Sequence, residues 1–119
     1  AFGRVGSSPT PGIALVPRSI ASVMTDVVAL AAELLAIHSP SGGEGPAIDF
    51  VSGWLLQRGW NVHVQEVSPG RGNVWASRDG GGVTLSTHLD TVPPYIPPRL
   101  DGDKLYGRGG ADDGYAMYA

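Results

Sequence analysis

Glycine and proline decide where this chain can be ordered, because they fall in clusters. Of its 119 residues, 18 are Gly and 10 are Pro, and many of them lie in 1–17, 40–46, 69–82 and 93–110. Glycine admits left-handed backbone and proline removes a hydrogen-bond donor, so each cluster ends the regular element before it. The pieces left between clusters are short. They read in order as helix, helix, three strands, a small turn-containing excursion and a final piece with helical character. That order points to an α/β layer arrangement. No internal repeat runs through it.

The first helix is expected over residues 25–37, TDVVALAAELLAI. Val27, Leu30, Ala31, Leu34 and Leu35 recur at steps of three and four and make one apolar face. Thr25 or Asp26 can cap it, and Pro40 ends it. In the loop PSGGEGP, Ser41 and Glu44 have the spacing of a capping box, and Pro46 suits a first helical turn. A second helix is expected over about 46–58, with Ala47, Ile48, Val51, Trp54 and Leu55 on its buried stripe and Gly59 as its stop. Trp60 to Val67 opens in strict alternation, as a half-buried strand does. Asn73 to Ser77 is a second strand, DGGG at 79–82 a turn, and Val83 to Leu89 a third strand. Leu100 to Tyr106 is the turn-containing excursion, followed by a glycine-rich loop over 107–110. Residues 1–23, which precede Met24 and the first strong helical pattern, are expected to be a flexible extension; 24–119 is the folded part.

Composition narrows the chemistry. Hydrophobic residues make up 42%, enough for a core. The net charge is -3, from 8 basic and 11 acidic residues, and no basic stripe is present to neutralise phosphates. Nucleic acid is therefore not expected as a partner. There is no cysteine, which excludes disulfides, thiolate catalysis and cysteine zinc sites. Any zinc must be held by His, Asp or Glu. No apolar run reaches the ~18 residues of a membrane span, and Ile13 to Val16 is too short for a signal-peptide core. The expectation is a cytoplasmic protein with no membrane partner.

Two segments carry chemistry. The third expected strand ends in STHLDTVPP. Strand parity places Thr84, Ser86, His88 and Asp90 on one face, with His88 and Asp90 roughly 6–7 Å apart along it. A carboxylate there can accept one ring N–H of His88 while the other nitrogen binds a metal. A hydrogen-bonded surface pair fits the same residues. The second segment is Tyr106 to Asp113, YGRGGADD. Adjacent acids after a glycine loop need solvent, a partner or a cation. A solvated acidic turn fits too, whereas phosphate binding does not, because the carboxylates repel it.

Together these segments resemble the M20 metallopeptidases, a group that includes acetylornithine deacetylases, succinyl-diaminopimelate desuccinylases, aminoacylases and carboxypeptidases. The resemblance covers about residues 24–119: the first helix, PSGGEG, the second helix, THLDTVPP and LYGRGGADD, in the family's order. It implies an α/β fold, part of a zinc-peptidase-like catalytic domain with helices packed on a mixed sheet and the lid or dimerisation domain absent. It implies two zinc ions per complete site, with Co2+ or Mn2+ as substitutes. His88 would bind one of them, Asp90 would orient His88, and Asp112 would bridge both ions. A strained peptide bond would follow Asp112, and Arg108 would support the glycine loop. The chain departs from the common family pattern at Gly114 and Tyr115, where lysine and glycine are usual; that leaves the subfamily open.

Ligand counting sets a limit. A bridged two-metal site needs further protein ligands for each ion. The family supplies a Glu-Glu pair, another acid and a late His from beyond the bridging Asp. His63 is expected to face solvent, His38 lies in a loop, and Glu33, Glu44 and Glu66 fit structural positions. The expected function, for a full-length protein, is hydrolysis of an amide or peptide bond in N-acyl amino acids or small peptides, with a homodimer as the expected assembly. The chain by itself is expected to be inactive, with an open sheet edge and an uncovered apolar face. Two other readings stand beside this one: an inactive, metal-binding remnant of the family, and a small α/β binding module in which His88 and Asp90 pair incidentally.

Overall fold

The computed structural model describes residues 20–80 and 82–110. Its elements are α1 (Ile20–Leu35), α2 (Gly45–Gln57), β1 (Asn61–Ser68), β2 (Arg71–Ser77), β3 (Arg99–Asp101) and β4 (Lys104–Tyr106). Two helices precede two separate two-stranded antiparallel sheets, β1–β2 and β3–β4.

The core is the seam between the helices. Leu30, Leu34 and Leu35 of α1 meet Val51 and Leu55 of α2, all buried. Trp54, Trp60, Val62, Val74, Leu89 and Leu105 close around them. These are the positions that three-and-four spacing selects, and full burial of each aliphatic side chain stabilises by about 1.5–3 kcal/mol. α1 starts at Ile20, so Thr25 and Asp26 lie inside the helix and not at its cap. Its last turn continues through Ala36 and Ile37, whose N–H groups reach Ala32 O and Leu34 O.

α2 opens with proline in its first turn and closes as Gly59 predicts. Gly59 takes φ +79, its N–H donates to Leu56 O, and Trp60 N–H donates to Leu55 O. This pair of bonds satisfies the last carbonyls and turns the chain into β1. The expected capping box does not form. Glu44 occupies the N-cap position and makes no side-chain cap bond to the helix.

β1 and β2 form a hairpin in which Val64 faces Val74 and His63 faces Trp75, with a register irregularity between Glu66 and Ser68. β2 begins two residues earlier than the alternation indicates, because Arg71 and Gly72 join the ladder. β3 and β4 pair as a small antiparallel hairpin where a turn-containing excursion is expected.

The third expected strand is absent. Residues 83–90 carry no strand ladder, and only an isolated parallel bridge, Pro40 to Thr91, follows them. Among the described residues, two small antiparallel sheets stand where a mixed sheet is expected. The reason is pairing: alternation fits a sequence for a strand, but a strand exists only where a neighbour takes its N–H and C=O groups. Among the described residues none does, and Val83 and Leu85 stay exposed at 90% and 71%. Among the described residues, no helix is long and apolar enough to cross a membrane.

Candidate functional site

The loop between α1 and α2 organises the site. One side of it is stitched to the segment ending in Thr91. Ser39 Oγ donates to Leu89 O at 2.8 Å, and Thr91 N–H donates to Ser39 O at 2.8 Å. Ser39 and Thr91 are both buried. This stitching holds the His88–Asp90 end in place without a sheet.

Alternation survives locally even though the strand does not. Leu89 packs inward on the core, while the His88 and Asp90 side chains stay 51% and 36% exposed and meet each other. His88 Nδ1 lies 3.2 Å from Asp90 Oδ1 and 3.0 Å from the Asp90 carbonyl oxygen. Both of these neighbours are acceptors, an arrangement that favours a proton on Nδ1. The other oxygen of the carboxylate, Asp90 Oδ2, accepts a short hydrogen bond from Ser41 Oγ.

The other side of the loop is fixed by Glu44, which is buried. Gly42 N–H donates to Glu44 Oε1 at 2.8 Å. The Arg71 guanidinium donates to both Glu44 oxygens, at 2.9 and 3.1 Å. The Gly42 N–H, followed by the Arg71 bond, holds the Glu44 carboxyl below its usual range. Its bond to Glu44 in turn raises Arg71, with a smaller contribution from the Asp90 charge.

Arg108 ties the glycine loop to the preceding Pro-rich turn, as expected of a supporting residue. Its Nε donates to Pro94 O at 3.0 Å and its backbone N–H to Ile96 O at 3.0 Å. Gly107 is needed for closeness: a Cβ there would stand 3.3 Å from Leu35 Cδ1. Asp112, Asp113 and the peptide bond between them lie outside the described residues. So do Gly114 and Tyr115. His63 is exposed on β1, and His38 is exposed beside the Tyr95 ring, 5.1 Å between centroids.

Zinc fits part of this arrangement. A histidine with Nδ1 held by a carboxylate is the usual form of a ligand that binds through Nε2. Among the described residues, however, no group of three His, Asp or Glu is gathered to hold an ion.

Ser41 and Arg71 are the site residues that sequence reasoning overlooks. Capping-box spacing assigns Ser41 and Glu44 to each other, yet each has its partner far along the chain. The only sequence signal was the proximity of a hydroxyl and an acid within a glycine-rich loop.

The chain is similar to a putative [LysW]-lysine/[LysW]-ornithine hydrolase of Pyrococcus abyssi, 42% identical over 82 residues, which are 67% of this chain and 23% of the relative. It is 37% identical over 93 residues to a peptidase M20 domain-containing protein of Schizosaccharomyces pombe, covering 73% of this chain and 23% of the relative. A [LysW]-lysine/[LysW]-ornithine hydrolase of Sulfurisphaera tokodaii is 35% identical over 80 residues, 67% of this chain and 21% of its own. No family model and no solved structure matches. The chain belongs to the M20 peptidase family. It spans about a quarter of the length of these curated relatives.

Proposed function

We propose that the protein carrying this chain is a zinc-dependent hydrolase that cleaves an amide or peptide bond in N-acyl amino acids or small peptides. One observation carries the reading: His88 Nδ1 lies against Asp90, 3.0 Å from its carbonyl oxygen and 3.2 Å from its carboxylate, on a segment whose sequence is that of the M20 family. His88 would bind zinc through Nε2, and Asp112 would be shared between two ions. Zinc, when bound, polarises the scissile carbonyl as a Lewis acid. Asp90 keeps the His88 proton on Nδ1 and makes the ring a stronger donor. Co2+ or Mn2+ could replace zinc at such a nitrogen and oxygen donor set.

The printed names of the relatives make conjugates of lysine and ornithine the first substrates to test. The experiment is metal analysis of the full-length protein together with hydrolysis of such conjugates and of N-acyl amino acids. We expect two zinc ions per chain and loss of turnover on chelation, restored by added zinc. Full turnover in the metal-free protein would refute the reading.

A further inference from the structure

His88 and Asp90 do not fix each other by themselves. The terminal torsion of an aspartate is broad, so one contact to His88 leaves the carboxylate able to rotate. We propose that Ser41 is a positioning residue for this pair: its hydroxyl pins Asp90 Oδ2 so that Oδ1 stays on His88 Nδ1. The proposal rests on the metallohydrolase reading above.

Three observations carry it. The two Asp90 oxygens are divided between partners, Oδ1 facing His88 and Oδ2 accepting from Ser41. Ser41 is exposed and contributes nothing to the core, so its hydroxyl has no packing role. Nor is it used by α2, whose N-cap is Glu44.

The loop that presents Ser41 is held on both flanks. On one, Ser39 binds Leu89 and Thr91; on the other, Glu44 binds Arg71 and Gly42. Between them, Gly43 N–H closes a turn on Pro40 O at 2.7 Å. A hydroxyl on so constrained a loop needs little ordering to hold a carboxylate.

The test uses the full-length protein with Ser41→Ala, Ser41→Thr, Asp90→Ala and the Ser41→Ala/Asp90→Ala double variant. Zinc affinity is measured by chelator competition, the His88 tautomer by ring 15N shifts in the metal-free protein, and kcat and KM by turnover. Ser41→Ala should weaken zinc about tenfold, the lower end of what loss of an orienting partner costs. It should lower kcat with KM little changed, and reduce the Nδ1–H tautomer. Ser41→Thr should restore all three. The double variant should bind zinc no more weakly than Asp90→Ala, because Ser41 acts through Asp90.

Wild-type zinc affinity and tautomer in Ser41→Ala would overturn the proposal. So would a Ser41→Thr protein as impaired as Ser41→Ala, or additive losses in the double variant. A wild-type protein that binds no zinc removes the metallohydrolase reading, and this proposal with it; that outcome is visible before any variant is compared.

Discussion

Glu44 and Asp90 are two carboxylates served by one loop, and their surroundings divide them. Glu44 is buried, and both its oxygens are bonded to Arg71, with Gly42 N–H as a further donor. Asp90 is 36% exposed, and its oxygens reach a serine and an imidazole. A fully partnered buried acid has its donors committed to the fold, and removing it leaves charge unpaired. A half-exposed acid on a histidine can give its stabilisation to chemistry. The difference predicts that Glu44 variants act on stability and His88 or Asp90 variants on metal and turnover.

His88→Ala should break the pair most severely. Losing the proposed zinc ligand removes several kcal/mol of transition-state stabilisation, on the order of a 1,000-fold fall in turnover. Zinc per chain should also fall, while the thermal midpoint of the metal-free protein barely moves. Asp90→Asn should be milder, weakening zinc about 10- to 100-fold, as chelator competition would read. Glu44→Ala should show the converse: about 1–3 kcal/mol lost in denaturant unfolding, with zinc stoichiometry kept. A Glu44 variant that loses zinc at full stability would erase the distinction between the two acids.

Acid titration sharpens the contrast. Because the folded Glu44 carboxyl sits below the ordinary glutamate value of 4.5, folding favours its ionised form. That stabilisation is complete above about 4.5 and is lost as pH falls through the lower folded value. Unfolding curves from pH 6 to 3 should show this loss in wild type and a shallower one in Glu44→Gln. The smallest effect belongs to His63→Ala: the side chain is exposed on β1, so stability should stay within about 0.5 kcal/mol and zinc content should not change.

Much of this arrangement is legible in the residues alone, where a local rule decides it. The faces of α1 and α2 follow from the spacing of Leu30, Leu34, Val51 and Leu55, since a helix makes its own hydrogen bonds. Gly59 stops α2 for the same local reason. The Val83–Leu89 segment shows where local rules end, because a strand needs a neighbour that alternation does not supply. The site divides similarly. The His88–Asp90 contact is legible because the partners lie two positions apart, whereas Ser41 with Asp90 and Glu44 with Arg71 are not, being 49 and 27 positions apart.

Those separations also set an order of assembly. The hairpin turn, α2 and the Glu44–Arg71 pair need only residues up to Ser77, but Ser39 and Ser41 must wait for Leu89 and Asp90. On a chain growing at ~5–20 residues per second, the loop is exposed for roughly 2–10 s before its second flank is synthesised. Longer closures also carry the larger entropy cost. The loop that holds the two acids apart is therefore locked only after α2 and the first hairpin, and slow codons placed between Ser77 and Thr91 would prolong the interval in which it is held on one side only.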